Sequence, residues 1–228
     1  MKNLFKDWTI FEIILFIASP ILVATIGIIF KSDALTIITS IVGIMCGFFL
    51  AKGFVIGQFF GIAIVVLYSI VSYKNRYYGE MIIYIAIMLP MYIWSIVEWL
   101  KHKDDTTQTV QVNSIGWKEW LCVSLVAIAG YVGLYFVLRA MDTANLFVST
   151  LSVIDNIFAI YLVARRSKYG FVSYIINDLI LIVLWGIPVI SGNILLLPML
   201  FNPIVNLIND LYGVYNWSKL QKKQKQAQ

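Results

Sequence analysis

The sequence predicts an all-α integral membrane protein with eight transmembrane helices. Of its 228 residues, 61% are hydrophobic and only 13% are charged, and the mean hydropathy is +0.85. A soluble domain could not bury that much apolar surface. The apolar runs are about 20 residues long, the length of a helix that crosses a bilayer, and they lack the period-2 alternation of a membrane β-barrel.

Eight apolar segments follow one another along the chain. The first is preceded by Lys2 and Lys6, but it is too long for a signal peptide and no small-residue cleavage site follows it, so we interpret it as a span. The predicted spans are Trp8–Phe30, Ala34–Ala51, Phe54–Tyr73, Tyr77–Leu100, Trp117–Leu138, Asn145–Ala164, Phe171–Ser191 and Asn193–Trp217. The polar tail that follows, 218–228, is expected to be frayed or to form a short helix.

The distribution of basic residues predicts the topology. With the N-terminus in the cytoplasm, four of the 17 basic residues fall in outside loops and the remaining 13 fall inside. The four outside residues are Lys31, Lys74, Arg76 and Arg139. This skew predicts eight spans, with both termini cytoplasmic. The net charge of +5 therefore reflects topology and does not indicate nucleic-acid binding.

An internal repeat organises the predicted domain. The segment 48–68 resembles 160–185, with Ala51 and Lys52 matching Ala164 and Arg165. Chance similarity in a sequence rich in Ile and Val is the alternative explanation. Parallel repeats are one known plan of secondary transporters, with the substrate site near the midplane between the repeats.

The repeat predicts how a single membrane domain, 1–228, is divided. The only long polar connection, 101–116, separates its two halves. The predicted parts are an extra N-terminal helix in 1–33, a three-helix bundle in 34–100, a loop and linker helix in 101–144, a second three-helix bundle in 145–217 and a basic cytoplasmic tail in 218–228.

Polar side chains inside three of the spans are the main candidates for substrate binding. A charged side chain at membrane depth costs at least a few kcal/mol, so such residues face a cavity or a partner within the bundle. The candidates are Asp155 and Asn156 in the sixth span, Asn177 and Asp178 in the seventh, and Asn206 and Asn209 in the eighth, which also carries Asp210. The alternative is that they only bond neighbouring helices together.

The seventh span combines an acid with aromatic rings. Four of its side chains fall on one helical stripe, namely Phe171, Tyr174, Asp178 and Trp185. No Lys or Arg lies deep within a span to balance the intramembrane acids. We therefore expect the stripe to line the pathway of a cationic or hydroxyl-rich solute.

Several aromatic residues lie deep in the spans, where they could stack on a heteroaromatic ring or attract a ring cation. They are Tyr68, Tyr84, Tyr92, Trp94, Tyr174 and Trp185. Ordinary packing is the alternative for each of them. The repeat partner of the seventh span contributes Gln58 in place of an acid, so the two halves of the site are expected to be unequal.

Catalysis finds little support in the sequence. There is no HExxH motif, no Gly-rich phosphate loop and no GxSxG motif, and the single histidine and two cysteines form no metal-ligand pattern. We predict no catalytic residue, no metal site and no cofactor. A membrane enzyme with Asp155 and Asp178 as an aspartyl pair is the remaining catalytic alternative.

The sequence resembles the PnuC family of bacterial vitamin and nucleoside transporters. SIVGIMCGFFLAKG, GQFFGIAIVVLYSIVSYKNRYYGEM and LPMYIWSIVEW resemble the first half of that family, and NDLYGVYNW, which contains Tyr212, resembles its ending. The resemblance implies a fold similar to the SWEET transporters, with a 3+1+3 arrangement and an added N-terminal helix. It also implies facilitated diffusion of nicotinamide riboside, followed by phosphorylation by a cytosolic kinase.

The sequence departs from the family at positions that bear on the substrate. Tyr84 and Tyr92 replace an Asn and a Gln, and the Trp-x-x-Trp-x-x-x-Asn signature appears as Phe171, Tyr174 and Asp178. A deoxynucleoside, thiamine or riboflavin is therefore an alternative substrate, and proton-coupled transport or a non-transporting subunit is an alternative function. The expected partners are a small-molecule substrate, the lipid bilayer and a kinase, with a homo-oligomer left open and no nucleic acid.

Overall fold

The computed structural model of the chain describes residues 8–75, 77–104 and 107–226, with Gly79 and Glu80 described by their backbone alone. The topology assignments of Lys2, Lys6 and Arg76 lie outside the described residues, as does the side chain of Glu80 in the family motif.

The described ranges are helical almost throughout, and eight helical stretches in them are long and apolar enough to cross a membrane. This confirms the predicted all-α fold with eight spans. The helices are α1 (Ile10–Ile29), α2 (Ala34–Ala51), α3 (Ile56–Lys74), α4 (Tyr78–Ile83), α5 (Leu89–Lys101), α6 (Trp117–Ala140), α7 (Leu146–Ala164), α8 (Tyr169–Ile190) and α9 (Leu197–Gln226).

The first two helices begin at residues that cap them. Thr9 and Glu12 form a capping box at α1, in which each side chain accepts a hydrogen bond from the other residue's backbone N–H. Asp33 caps α2 by accepting hydrogen bonds from the backbone and hydroxyl of Thr36, at 3.2 and 2.7 Å. Burial opposes the effect, but these bonds leave the pKa of Asp33 below its ordinary value.

The fourth span is not a uniform α-helix. Between α4 and α5 the backbone forms a π-helical segment, Tyr84–Met88, directly before Leu89 and Pro90. A proline lacks a backbone N–H and its ring clashes with the carbonyl four residues earlier, which here belongs to Ala86 inside the π segment. The widened turn accommodates this clash, and π-helical turns of this kind are frequent at functional sites.

The last span extends beyond its predicted end. A 3-10 turn, Ile194–Leu196, precedes α9, which continues through the tail to Gln226. Two glutamines attach this extension to the central loop. Gln224 Oε1 accepts a hydrogen bond from the backbone of Val112, and Gln221 Nε2 donates one to Ser114 Oγ, both at 2.9 Å. Of the two expected forms of the tail, frayed or helical, the structure shows the helix.

The helices surround a central group formed by α2, α8 and α9. Helix α9 packs against both α2 and α8, while α3 packs on α2 and α7 packs on α8. Helix α1 contacts α2 and α9, α5 lies against α3 and α7, and α6 lies outside α7. The division into two three-helix bundles joined by a linker stays a prediction.

A cluster of buried aromatic rings fills the bundle at the end where α2 and α7 terminate. The Trp217 ring lies 5.1 Å from Phe171 and 5.5 Å from Trp99, between ring centroids. The indole N–H of Trp217 donates to the carbonyl of Leu50 at 3.1 Å. Gly213 admits the Phe171 ring, because a Cβ there would come within 2.5 Å of it.

Candidate functional site

The interior of the bundle contains a cavity of about 120 Å³. Helices α2, α3, α7, α8 and α9 and the π-helical segment all contribute to its wall. Ligand pockets of proteins usually enclose about 300–1,000 Å³. The cavity must therefore widen before it can admit a ligand of nucleoside size.

One wall of the cavity is aromatic. The rings of Tyr68 and Tyr84 stack with their centroids 4.5 Å apart and an interplanar angle of 24°. The edge of Trp185 meets Tyr68 at 6.2 Å. The Tyr84 hydroxyl accepts a hydrogen bond from Asn156 Nδ2 at 2.9 Å, which fixes the ring across the gap between the π segment and α7. Flat heteroaromatic rings stack well on such surfaces.

A row of amides on α9 forms the opposite wall. Asn202 Nδ2 donates to the backbone carbonyl of Ser40 at 2.7 Å, and Asn206 Nδ2 donates to Asn202 Oδ1 at 3.1 Å. Asn209 Nδ2 continues the row by donating to Asn206 Oδ1 at 3.4 Å. Asn202 and Asn206 line the cavity, whereas Asn209 is fully buried beside it. Amides in such a row can bind sugar hydroxyls or ring substituents.

Two glycines of α2 make room for this row. A Cβ on Gly43 would lie 2.9 Å from Asn202 Nδ2, and a Cβ on Gly47 would lie 2.8 Å from Asn206 Oδ1. The spacing of four residues is the same on both helices, so each glycine faces one amide. Small residues at such positions allow close approach of membrane helices.

The acidic part of the site is formed by Asp178 and Asp210, whose side chains interact with each other and line the cavity. Both residues are buried, with exposures of 5% and 4%. Asp178 Oδ2 has no hydrogen-bond partner in the described part of the chain. None of the described residues that line the cavity is Lys, Arg or His. A cationic ligand would therefore offset the repulsion between the two carboxylates.

Asp155 lies next to this site but outside its lining. Its Oδ1 accepts a hydrogen bond from the Ser173 hydroxyl at 2.9 Å, across the interface of α7 and α8. Asn177 bridges the same helices, because its Nδ2 donates to the backbone carbonyl of Ser152 at 2.7 Å. Asn177 lines the cavity as well. Asp155 is therefore placed to support the wall, and its predicted contact with substrate stays a prediction.

The structure brings together eight of the residues predicted to bind substrate. The cavity is lined by Tyr68, Tyr84, Asn156, Tyr174, Asn177, Asp178, Trp185 and Asn206. Phe171, the first residue of the predicted stripe, lies instead in the aromatic cluster with Trp217. The stripe thus reaches the cavity at three of its four positions.

The other predicted site residues lie elsewhere in the bundle. Gln58 is fully buried outside the cavity lining. Tyr92 is buried against Gly61, while Trp94 pairs with Tyr161 at 5.9 Å. Tyr212 donates a hydrogen bond to Glu12, and Asn209 and Asp155 are placed as described above. Their roles in binding stay predictions.

Twelve of the described lining residues were not predicted as site residues. Six of them are polar residues or glycines, namely Thr39, Ser40, Gly43, Gly47, Asn202 and Asp210, and the other six are Cys46, Leu50, Ile64, Leu181, Met199 and Pro203. The spacing of four residues between Gly43 and Gly47, and between Asn202 and Asn206, is the signal that could have identified the contact of α2 with α9.

Comparison with known proteins gives consistent results. The family model described as Nicotinamide mononucleotide transporter matches residues 33–219. The chain is 26% identical to the nicotinamide riboside transporter PnuC of Neisseria mucosa over 226 residues, which cover 97% of this chain and 86% of that protein. It is also 26% identical to the nicotinamide riboside transporter PnuC of Haemophilus influenzae over 192 residues, which cover 83% and 81%.

The fold agrees with a solved structure of a related protein. The crystal structure of the vitamin B3 transporter PnuC superimposes with a TM-score of 0.84 and 27% sequence identity, covering 96% of this chain and 95% of that chain. With eight helices in the described residues that can cross a membrane, the chain is a multi-pass membrane protein. The matched residues 33–219 include every described residue that lines the cavity, and the chain belongs to the nicotinamide mononucleotide transporter family.

Proposed function

We propose that this protein is a facilitator that carries nicotinamide riboside across the bacterial cytoplasmic membrane through the central cavity. The observation that carries the proposal is the composition of the cavity wall. It combines the stacked Tyr68 and Tyr84 with the amides of α9 and the acidic pair Asp178 and Asp210. A ribosylated pyridinium ring offers a flat face, sugar hydroxyls and a positive charge, which are the groups that such walls bind.

The cavity favours a riboside over a mononucleotide. The description of the matching family names nicotinamide mononucleotide as the substrate, whereas the names of the two relatives give nicotinamide riboside. A phosphate would bring negative charge to a cavity where two carboxylates interact and where no described lining residue is Lys, Arg or His. Burying such an uncompensated charge costs several kcal/mol. The phosphorylated form is therefore expected to be excluded.

Three further features belong to the same proposal. Both termini lie in the cytoplasm, as the distribution of basic residues favours. A cytosolic kinase phosphorylates the imported riboside, which then no longer fits the cavity and is retained. A homo-oligomer would bury the outer face of α6, where large apolar side chains such as Leu125 and Ile128 are 58% and 65% exposed.

Uptake into proteoliposomes tests the proposal. Radiolabelled nicotinamide riboside should enter with saturable kinetics, and unlabelled riboside should compete. Nicotinamide mononucleotide should compete at least tenfold more weakly, because of the charge argument above. No saturable uptake of any nucleoside or vitamin would reject the function. Saturable uptake of labelled thiamine, riboflavin or a deoxynucleoside, with which the riboside does not compete, would reject only the proposed substrate.

Proton coupling is a second candidate function, favoured by the Asp178–Asp210 pair. Two neighbouring carboxyl groups are the arrangement in which a single proton is readily held and released. In this alternative, an inward proton gradient should drive accumulation of the riboside above its external concentration. Uptake that only equilibrates, with or without the gradient, supports the facilitator and rejects the coupling.

A further inference from the structure

A second, polar groove lies away from the central cavity, at the end of the bundle where α7 meets α8. It consists of two adjoining cavities of about 520 Å³ each. Both are lined by Asn113 and Ser114 of the central loop and by Gln221 and Lys225 of α9. Each has the volume of an ordinary ligand pocket, and neither shares a lining residue with the central cavity.

The first part of the groove lies at the starts of two helices. Ile115 and Trp120 belong to the start of α6, while Lys168 and Tyr169 belong to the start of α8. No side chain caps either helix at its N-cap residue, which is Gly116 for α6 and Lys168 for α8. At the start of α8 the N–H of Tyr169 donates to Ser167 Oγ at 3.4 Å, so the start of α6 is the one that offers partial positive charge and N–H donors to an anion.

The second part of the groove contains a buried cation with an unused donor. Arg166 is only 9% exposed, and its Nε has no hydrogen-bond partner in the described part of the chain. Its NH1 donates to the carbonyl of Gln111 at 3.2 Å, while its NH2 lies 3.8 Å from Glu98. Burial lowers the pKa of Arg166, an effect that Glu98 opposes. The Arg166 side chain lines this part of the groove, so its guanidinium adds positive charge there, and charge-assisted bonds to an oxyanion are strong.

The charges that face the groove are mostly positive. Lys168 and Lys225 line it together with Arg166, and Asp104, the one acidic residue among the described lining residues, already accepts a hydrogen bond from the backbone N–H of Thr107 at 3.0 Å. Glu98 is shared between Arg166 and His102, whose Nδ1 lies 3.5 Å from it. The groove therefore differs in sign from the central cavity, where the charged lining residues are acidic.

We propose that this groove binds a phosphate group, held by Lys168 and Lys225 near the start of α6, with Arg166 adding positive charge from the adjoining part of the groove. Two sources present this chemistry at a membrane surface, namely a soluble nucleotide and the headgroup of an anionic phospholipid. Trp120 and Tyr169 line the same groove, with ring centroids 5.5 Å apart, and offer aromatic surface to a base attached to the phosphate. The proposal is independent of the transported substrate.

Binding to the detergent-purified full-length chain tests the proposal, with isothermal titration calorimetry as the readout. The soluble probes are adenosine monophosphate and its unphosphorylated match, adenosine. The lipid probes are dioctanoyl phosphatidylglycerol and dioctanoyl phosphatidylcholine. We expect the phosphate-bearing anion to bind and its uncharged or zwitterionic match to bind at least tenfold more weakly, because charge-assisted bonds are the strong ones.

A double variant locates the binding. Lys168→Gln with Lys225→Gln removes two lysines of the groove, and leaves the nearly buried Arg166 in place so that the turn between α7 and α8 is preserved. We expect a loss of about tenfold or more in affinity. Lys222→Gln is the matched control, because Lys222 is on the same helix as Lys225 but outside the groove lining, and it should bind as the unmodified chain does.

Each outcome decides the question. Binding of adenosine monophosphate that is lost in the double variant assigns the groove to a soluble nucleotide. The same loss for phosphatidylglycerol alone assigns it to a lipid headgroup. Binding of neither anion, or equal binding to the double variant and the unmodified chain, overturns the proposal. The elution profile of each variant in size-exclusion chromatography confirms that it is folded.

Discussion

Lys52 Nζ lies 2.7 Å from the Glu12 carboxylate and joins the start of α1 to the end of α2 in a nearly buried ion pair. The side chains are only 11% and 6% exposed. Glu12 also accepts a hydrogen bond from the Tyr212 hydroxyl on α9. The N-terminal helix is thus attached to two of the three central helices through one carboxylate.

A second ion pair occupies the equivalent place in the other half of the chain. Arg165, which matches Lys52 in the predicted repeat, donates to both carboxylate oxygens of Glu119, at 2.6 and 3.0 Å. Glu119 also accepts a hydrogen bond from Tyr161 at 2.9 Å. Each glutamate is the third residue of its helix, α1 or α6. Helices α1 and α6 therefore make the same kind of attachment to the turn that each contacts.

Breaking the first pair should destabilise the protein strongly. Lys52→Met leaves the Glu12 carboxylate buried without its cation, which costs about 3–5 kcal/mol. Thermal unfolding in detergent measures the loss. The double variant Glu12→Leu with Lys52→Met should recover most of it, because no unpaired charge remains buried.

The second pair is the matched control for this prediction. The side chains of Arg165 and Glu119 are 32% and 26% exposed, so Arg165→Gln should cost only about 0–1 kcal/mol. If Lys52→Met unfolds at the same temperature as Arg165→Gln, the buried ion pair does not hold α1 in place.

The sequence predicted the spans well because bilayer thickness imposes a length on every apolar helix. Ala34–Ala51, the shortest predicted span, has the same ends in the structure. The helical tail was harder to predict, since residues 218–226 are polar and their helix is attached through Gln221 and Gln224 to a loop more than 100 positions away in the chain. Contacts between residues so far apart in the chain produce no pattern in the local sequence.

The candidate site was predicted in part for a similar reason. Helical spacing placed Tyr174, Asp178 and Trp185 on one face, and that face does line the cavity. The same reasoning could not show which way α3 and α5 are turned, and Gln58 and Trp94 lie outside the cavity lining, so their contact with substrate stays a prediction. Gly43 and Gly47 contribute to the cavity because they have no side chain. A pattern of hydrophobic residues in the sequence does not reveal such positions.

Filling the space at Gly47 should stop transport without unfolding the protein. The Cβ of Gly47→Leu would lie 2.8 Å from Asn206 Oδ1, so the new side chain displaces this amide and enters the cavity. We expect riboside uptake into proteoliposomes to fall by more than about tenfold, in line with the cost of overpacking.

Gly133→Leu on α6 is the control for this substitution, because no atom lies within 4 Å of a Cβ at that position. It should transport normally and keep the melting temperature of the unmodified chain, whereas Gly47→Leu should stay folded but lose about 1–3 kcal/mol of stability through overpacking. Normal uptake by a folded Gly47→Leu variant would show that the substrate does not pass between α2 and α9.

Neutralising Asp178 should weaken the binding of a cationic substrate. Asp178→Asn keeps the shape of the side chain, which is 5% exposed, and removes the negative charge that Asp178 shares with Asp210. Hydrogen bonds to charged groups contribute about 1.5–3 kcal/mol, so the KM for nicotinamide riboside should rise roughly ten- to hundredfold. The KM for uptake of a neutral nucleoside should change much less, because such a substrate carries no positive charge.

Asp155→Asn tests whether Asp155 and Asp178, both predicted from the sequence to bind substrate, have different roles. Asp155 bonds to Ser173 outside the cavity lining, so its variant should change the KM by less than about threefold. The amide oxygen of the asparagine can still accept from the Ser173 hydroxyl, so the main effect is a weaker, uncharged helix-bridging bond and a small loss of stability. An equal rise in KM for both variants would place Asp155 in contact with the substrate.

Tyr84 allows ring stacking to be separated from hydrogen bonding. Tyr84→Phe keeps the ring that stacks on Tyr68 at 4.5 Å and loses the hydroxyl that accepts from Asn156. Tyr84→Leu loses both. Stacking of a base on an aromatic ring contributes about 1–3 kcal/mol, so the leucine variant should lose roughly five- to hundredfold in affinity for the riboside, measured as the half-saturating concentration for uptake.

The phenylalanine variant distinguishes two roles of this side chain. If the ring is what binds the substrate, Tyr84→Phe should retain most of the affinity and lose stability, since an unpaired amide of Asn156 costs about 1–3 kcal/mol. If the hydroxyl positions the ring, both variants should lose affinity alike. Tyr215→Leu, at a tyrosine of α9 that is 65% exposed, should leave uptake unchanged, because a ring on the outer surface of the bundle does not reach the cavity.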